Sequence, residues 1–389
     1  MKVDFDERIM RKHTDCVKYD MLQTLYGRDD LLPMWVADMD FRSPDFVMEA
    51  LRQRCDHEVL GYSTVPESYV AAVRQWLHDH YAIDAAPETL HFIPGIVAGI
   101  AYALLALTAP GDAVLVTPPV YPPFLNLPVA CGRRLVSSPL HIADGRFELD
   151  FDDFGRKVKG CKVFILSNPH NPAGTVWGTE VLSRIAAICE REGVTVISDE
   201  IHADMTLPGH RHVSYSTVSE AARRHSITFM APSKTFNIAG LGSSTCYVAD
   251  SALRKRFFDW LDGLGVAGGN IFAFVGAEAA FRQGEPWRRQ MVDYLFENVN
   301  SLRQFLTARL PRVKCVLPEA SYLAWLDFSA YGLSHEELRD LFVNRARVAL
   351  NDGTTFGGDA YRCCFRINIG CPKSMLLEAL ERMAKALEP

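Results

Sequence analysis

The chain has 389 residues, of which 48% are hydrophobic and 23% charged, a composition typical of a soluble globular protein. This length exceeds what a single hydrophobic core usually supports, so two lobes are expected. The formal net charge of −6 argues against a nucleic-acid partner, because proteins that bind the phosphate backbone normally carry an excess of basic residues.

The terminal and apolar segments predict a protein that is neither exported nor inserted in a membrane. Residues 1–8 carry charges throughout and lack the apolar stretch of a secretory signal. The longest apolar stretch, residues 98–107, is too short to cross a bilayer. The ten cysteines are dispersed without paired zinc spacing, so we expect reduced thiols, no metal and a cytoplasmic location.

Predicted helices and strands alternate through the first two thirds of the chain. Glu67–Tyr81 and residues 97–107 have apolar side chains at helical spacing, and Ala113–Val116 is a predicted strand. The alternation continues to about residue 280. This pattern favours a parallel, doubly wound sheet.

The C-terminal part predicts a smaller α+β lobe. A long amphipathic helix follows Pro286 and extends to about Leu310, another helix begins at His335, and a final helix closes the chain. Between these helices, strands are predicted at residues 314–317, 322–328 and 364–369.

Three polar clusters each follow a predicted buried strand. The clusters are residues 167–175, 198–204 and 231–241, after strands at residues 161–166, 194–197 and 226–230. In an open parallel sheet, ligands bind outside the carboxyl ends of the strands. The three clusters are therefore predicted to converge on one crevice.

Lys234 is the strongest candidate for a catalytic residue. It lies in a small, glycine-punctuated segment that can hold its amine away from bulk water. Desolvation disfavours the ammonium form, so such a lysine readily loses its proton and can attack a carbonyl to form a Schiff base. An ordinary surface lysine is the alternative, and the two other polar clusters argue against it.

Together with residues 35–41 and 365–372, the three clusters resemble the motifs of fold-type I pyridoxal-phosphate enzymes, the class I/II aminotransferase superfamily. The resemblance covers nearly the whole chain and is closest to the MalY/PatB-type branch of cystathionine β-lyases and carbon–sulfur lyases. It implies an α/β aspartate-aminotransferase-like fold. A large, doubly wound, mainly parallel sheet domain would cover residues 44–280, and residues 1–43 and 281–389 would form a smaller α+β domain.

The resemblance also implies pyridoxal 5'-phosphate as the cofactor and assigns its contacts. Lys234 would hold the cofactor covalently and act as a base, and Asp199 would pair with the protonated pyridine nitrogen. Tyr121 would stack on the ring, while Asn171 and His202 would lie at its oxygen-bearing edge. Alternatively, Asp199 caps a helix, Asn171 forms a turn and His202 is a packed neighbour.

The phosphate group is predicted to lie at a helix N-terminus. Ile96 and Val97 open a predicted helix whose free N–H groups and dipole favour an anion, and Ser233 could add a hydroxyl donor. By resemblance, Tyr62 reaches the phosphate of the neighbouring subunit, which implies a homodimer with composite active sites. Without the resemblance, Tyr62 is a loop aromatic.

Arg366 is the candidate for binding the substrate carboxylate. It alternates with apolar residues on a predicted strand, and its planar fork suits bidentate binding of a carboxylate. A buried structural salt bridge is the alternative. The resemblance places Ala37, Tyr121 and Asn171 beside the substrate as well. The branch commonly has Gly-Thr where this chain has Ala320-Ser321, so the substrate is less well predicted than the chemistry.

The function predicted first is β-elimination from an S-substituted L-cysteine such as cystathionine, releasing a thiol, pyruvate and ammonia. An aminotransferase, which uses the same lysine, aspartate and arginine with a 2-oxo acid, is the alternative. A ligand-sensing regulator on this fold would need a DNA-binding module. The roughly forty residues before the cofactor domain lack a basic helix-turn-helix pattern, so we do not expect one.

Overall fold

A seven-stranded sheet forms the centre of the computed structural model, which describes residues 3–388. Its strands lie in the order Leu90–Ile93, Ser244–Tyr247, Ser226–Met230, Thr195–Asp199, Cys161–Ser167, Ala113–Val116 and Arg134–Ser137. The last five run parallel. Ser244–Tyr247 is antiparallel to both of its neighbours, so the sheet is mainly rather than wholly parallel.

Both faces of the central sheet are covered by helices, as expected of a doubly wound fold. On Cys161–Ser167, Val163 packs in the apolar cluster of helix Ile96–Leu107, while its neighbour Phe164 packs in that of Thr179–Glu192. The strand is apolar on both sides because both faces are buried. The other helices between residues 44 and 284 are Asp45–Cys55, Glu67–Tyr81, Pro122–Ala130, Phe151–Lys157, Glu220–Arg224, Ser251–Leu264 and Ile271–Gln283.

The C-terminal lobe contains a four-stranded antiparallel sheet. Its strands lie in the order Lys314–Val316, Leu323–Asp327, Cys364–Asn368 and Asn351–Asp352. Its helices are Glu285–Arg309, His335–Asp340 and Lys373–Leu387, and a π-helix covers Leu341–Ala346. The large mainly parallel sheet and the smaller α+β lobe confirm the predicted fold class.

Shorter elements complete the chain. Val17–Asp20 and Leu22–Tyr26 are short N-terminal helices, and His141–Ala143 and Arg146–Glu148 form a separate antiparallel pair. The 3-10 helices are Pro87–Thr89, Ala203–Met205, Tyr215–Thr217, Ala239–Leu241, Ser329–Tyr331, Gly353–Phe356 and Asp359–Tyr361. Among the described residues, no helix combines the length and apolarity that a membrane crossing requires.

The N-terminal segment lies against the C-terminal lobe. Leu32–Pro33 pairs in parallel with Val348–Ala349. Phe5 and Phe41 pack in the same apolar cluster as side chains of the long helix Glu285–Arg309. Because these contacts join the two ends of the chain, we propose the two-domain division of residues 44–280 against residues 1–43 and 281–389.

Several predicted boundaries need correction. The strand predicted at residues 194–197 extends to Asp199, because Asp199 still pairs with Ser167 of the adjacent strand. The strand predicted to begin at Tyr322 begins at Leu323. Ser321, two residues before this strand, has a positive φ of 69°. Such a conformation cannot continue a strand.

Candidate active site

A cavity of about 160 Å³ opens at the carboxyl ends of the central parallel strands. Asn171 follows Cys161–Ser167, Asp199 ends its own strand, and Lys234 follows Ser226–Met230. The predicted site residues that line the cavity are Ala37, Ile96, Val97, Tyr121, Asn171, Asp199, His202, Ser233 and Lys234. The cavity therefore brings together predicted site residues that are up to 197 positions apart in the chain.

The Lys234 amine is held by the N-terminal segment. Its Nζ donates a hydrogen bond of 2.7 Å to the carbonyl oxygen of Ala37. Burial lowers the pKa of Lys234 below its ordinary value of 10.5, and the Arg366 guanidinium acts in the same direction, while the Asp38 carboxylate opposes them. A lowered pKa favours the neutral amine, which is the nucleophilic and basic form.

Asp199 is a buried carboxyl that lacks a full counter-charge. Burial raises its pKa from 3.8 to about 7, although the Lys234 ammonium and the Ile201 N–H group both lower it. The Ile201 N–H donates to Asp199 Oδ1 at 3.0 Å. A cationic nitrogen placed beside this carboxyl would stabilise its ionised form, so the site favours a protonated heterocycle.

Arg366 lies next to Asn171, behind the cavity wall. Its Nη1 donates to Asn171 Oδ1 at 3.0 Å, and its Nη2 donates to the Trp35 carbonyl oxygen at 3.0 Å and to Asn351 Oδ1 at 2.5 Å. All three partners are neutral. Burial lowers the pKa of Arg366 from 12.5 to about 10.

No ion pair within residues 3–388 includes Arg366, so the structure does not contain the salt bridge that was the alternative to carboxylate binding. Its buried Nε has no hydrogen-bond partner in the described part of the chain. A buried guanidinium without an anion is costly unless a ligand supplies one. The arrangement suits an incoming carboxylate.

A helix N-terminus at the cavity is suited to an anion. Ile96 and Val97 begin the helix Ile96–Leu107, whose N-terminus has no side-chain cap. The N–H groups of this first turn are available to a ligand, and the helix dipole favours negative charge there. Ser233 also lines the cavity.

Ser243 and Ser244 also line the cavity, although neither was predicted as a site residue. They open the strand Ser244–Tyr247, which is antiparallel to its neighbours, so the beginning of this strand lies at the edge where the parallel strands end. Gly242 precedes them with a left-handed φ of 61°, which glycine adopts without strain. The signal was the Gly240-Leu241-Gly242 segment, which marks a tight turn.

His202 and Tyr121 have well-defined surroundings. His202 is buried, and burial lowers its pKa to about 3, so the imidazole is neutral. Its Nδ1 lies 2.9 Å from Ser321 Oγ, a contact that the sequence did not predict. Tyr121 precedes the helix Pro122–Ala130, and burial raises the pKa of its hydroxyl.

Tyr62 does not reach the cavity of its own chain. Its side chain is fully exposed, with a relative exposure of 112%, and it lies outside any helix or strand. Val59 and Leu60 in the same segment are exposed as well. A contact between Tyr62 and an active site therefore requires a second subunit.

Comparison with known proteins gives consistent results. Residues 30–383 match the family model of class I and II aminotransferases. The chain is 42% identical to cystathionine beta-lyase PatB of Bacillus subtilis, over 99% of this chain and 100% of that protein. It is 31% identical to MalY of Escherichia coli, over 99% of this chain and 98% of MalY.

Solved structures of similar proteins share the whole fold. Cystalysin from Treponema denticola, a structure that contains pyridoxal 5'-phosphate, has a TM-score of 0.95 and 31% identity, covering 100% of this chain and 99% of cystalysin. The PLP-bound C-S lyase from Staphylococcus hominis has a TM-score of 0.93 and 33% identity, with the same coverage. The chain therefore belongs to the class I and II aminotransferase family, and within it to the branch that includes PatB and MalY.

Proposed function

We propose that this protein is a pyridoxal-phosphate-dependent carbon–sulfur β-lyase. It acts on cystathionine or another S-substituted L-cysteine and releases a thiol, pyruvate and ammonia. The convergence of Lys234, Asp199 and the Arg366–Asn171 pair around one cavity carries this proposal. The full-length similarity to cystathionine beta-lyase PatB supports the choice of a lyase within the family.

The residues of the cavity fit pyridoxal phosphate. The Lys234 amine is suited to bond its aldehyde, and the Asp199 carboxyl is suited to pair with its ring nitrogen, which would replace the missing counter-charge. The free N–H groups of Ile96 and Val97, together with Ser233, are suited to the phosphate. When bound, this cofactor supplies an electron sink for the charge left on a substrate Cα after deprotonation.

The side chains of this protein would perform the remaining tasks. Arg366 and Asn171 bind the substrate carboxylate and so orient the amino acid. Lys234, which burial favours in its neutral form, removes the proton from Cα. Asp199 keeps the ring nitrogen protonated throughout. The Cβ–S bond then breaks, the sulfur leaves as a thiolate, and one water completes the conversion to pyruvate and ammonia.

Incubation with cystathionine in the absence of any 2-oxo acid tests the proposed function. A lyase releases pyruvate and thiol over many turnovers, because elimination regenerates the loaded enzyme. An aminotransferase stops after one turnover with pyridoxamine phosphate, and that result would contradict our proposal. Lys255→Ala, which removes only an exposed ion pair with Asp259, serves as a control and should retain the wild-type rate.

We also propose a homodimer in which Tyr62 of one subunit contacts the phosphate of the other. The full exposure of Tyr62 and its apolar neighbours supports this interface. Mixing Tyr62→Ala subunits with Lys234→Ala subunits tests it, because each hybrid would hold one intact site. With random exchange, the mixture should recover about a quarter of the wild-type rate. Activity no higher than the mean of the two separate variants would contradict shared sites.

A cytoplasmic location is part of the same proposal. All ten cysteines are free, and four of them are buried. Reduced thiols are typical of the cytosol. Finding the enzyme in an oxidising compartment by cell fractionation would contradict this location.

A further inference from the structure

A hydrogen bond joins His202 of the large sheet to Ser321 of the C-terminal lobe. Ser321 Oγ lies 2.9 Å from His202 Nδ1, and both residues are buried. His202 follows the strand Thr195–Asp199 and lines the cavity, whereas Ser321 precedes the strand Leu323–Asp327 behind it. Ser321 therefore touches the cavity only through the imidazole.

The backbone of Ser321 is fixed in a conformation that favours glycine. Its φ is 69°, yet its N–H donates to the Met205 carbonyl oxygen at 2.9 Å. The preceding Ala320 N–H donates to the Gly174 carbonyl oxygen, also at 2.9 Å. A strained residue held by such contacts next to a ligand cavity is typical of a functional position.

The direction of the Ser321–His202 hydrogen bond follows from the available acceptors. Within residues 3–388, the Ser321 hydroxyl has no acceptor other than His202 Nδ1. If Nδ1 carried the proton instead, the buried hydroxyl hydrogen would be left without a partner, which is unfavourable. Ser321 therefore donates, and Nδ1 accepts.

The proton of the neutral imidazole must then lie on the other nitrogen. Burial keeps His202 neutral by lowering its pKa to about 3, so only one ring nitrogen carries hydrogen. In the described part of the chain, His202 Nε2 has no hydrogen-bond partner, and the ring lines the cavity. Nε2–H is left as a donor for a ligand.

We propose that Ser321 is a positioning residue that holds His202 in its Nε2–H form, so that His202 donates a hydrogen bond to an acceptor oxygen of the ligand in this cavity. This inference deepens the proposed function and rests on it for the identity of the ligand. This role explains why a residue with a hydroxyl occupies a position where the backbone conformation alone would favour glycine.

Two substitutions distinguish the effect of the Ser321 hydroxyl from the effect of the Ser321 backbone conformation. Ser321→Gly relieves the positive φ and removes the hydroxyl, whereas Ser321→Thr keeps the hydroxyl and adds a methyl group. If Ser321 were merely structural, the glycine variant would bind pyridoxal phosphate at least as tightly as the wild type. Our proposal predicts about 2- to 10-fold weaker binding for Ser321→Gly and binding within about 2-fold of wild type for Ser321→Thr.

Nitrogen NMR of ¹⁵N-histidine-labelled protein reads the tautomer directly, with His202→Gln identifying the signal among the twelve histidines. The wild type and Ser321→Thr should show a protonated Nε2 and an unprotonated Nδ1, and Ser321→Gly should show a mixture. A protonated Nδ1 in the wild type would overturn the proposal, as would full-strength cofactor binding by Ser321→Gly. A protein that takes up no pyridoxal phosphate would contradict the proposed function alone, because the tautomer is also measurable in the cofactor-free protein.

Discussion

The Nζ atom of Lys234 lies 2.7 Å from the carbonyl oxygen of Ala37, so the amine at the end of a central strand is held by the N-terminal segment. The same carbonyl accepts a hydrogen bond of 3.1 Å from the Tyr322 hydroxyl. Asn368 holds the flanking backbone by donating to the carbonyl oxygens of Val36 and Asp38. The position of the amine thus depends on both lobes.

Asp199→Asn should stabilise the cofactor-free protein at neutral pH but not under acid conditions. The pKa of Asp199 is raised to about 7 in the folded state, above 3.8 for the unfolded chain, so folding is favoured by its protonated form. The stability that the protonated Asp199 carboxyl gives the folded state is fully present below about pH 4 and is lost as the pH rises to about 7. The loss is on the order of 4 kcal/mol, and the asparagine variant avoids it.

Urea unfolding of both cofactor-free proteins at pH 5 and pH 8 measures this effect. The advantage of the asparagine variant should be larger at pH 8. Asp259→Asn, at an exposed carboxylate paired with a lysine, should show no such pH-dependent gain. An equal difference at both pH values would contradict the raised pKa.

Arg366→Gln should weaken substrate binding while leaving the cofactor in place. Removing the buried cation that faces the carboxylate is expected to cost about 2–4 kcal/mol, which corresponds to a fall of about 30- to 1,000-fold in kcat/KM. Steady-state kinetics should show the loss mainly as a higher KM.

Cofactor absorbance should be retained in Arg366→Gln, and the exposed variant Arg303→Gln is its control. The pKa of Lys234 should rise in the same variant, because Arg366 contributes to lowering it. An unchanged KM for every amino acid tested would show that Arg366 does not bind the substrate.

Asp204→Ala should destabilise the fold and disturb the lysine segment. The Asp204 carboxylate accepts hydrogen bonds from Trp76 Nε1 at 2.9 Å, from Thr235 Oγ1 at 2.8 Å and from the Tyr81 hydroxyl. Thr235 adjoins Lys234. Losing these buried partners should lower the free energy of unfolding by about 3 kcal/mol.

Urea denaturation compares this variant with Asp84→Ala, which removes an exposed carboxylate and should change stability by less than about 0.5 kcal/mol. Equal stability of the two variants would be inconsistent with a structural role for Asp204. Weaker cofactor binding by Asp204→Ala alone would further link Asp204 to the position of Lys234.

The sequence predicts those parts of the site that depend on local position. Asn171, Asp199 and Lys234 each lie at or just beyond the end of a parallel strand, so the topology of the sheet brings them to one edge. The helix Glu67–Tyr81 and the strand Ser226–Met230 have the predicted bounds, because helical periodicity marks the first and a short buried run marks the second.

Contacts between distant segments could not be predicted in this way. Ser321 has a positive φ that its residue type does not indicate, and its partner His202 is 119 positions away. Ser243 and Ser244 lie at the cavity because their strand is antiparallel, which alternation alone does not reveal. The partners of Arg366 likewise come from three separate segments.

The most direct test concerns the amine of Lys234. The loaded enzyme would be reduced with borohydride, which makes a bond between lysine and the cofactor permanent, then digested and analysed by mass spectrometry. We expect a cofactor-derived group on the peptide that contains Lys234. An unmodified Lys234, or modification confined to another lysine, would contradict it.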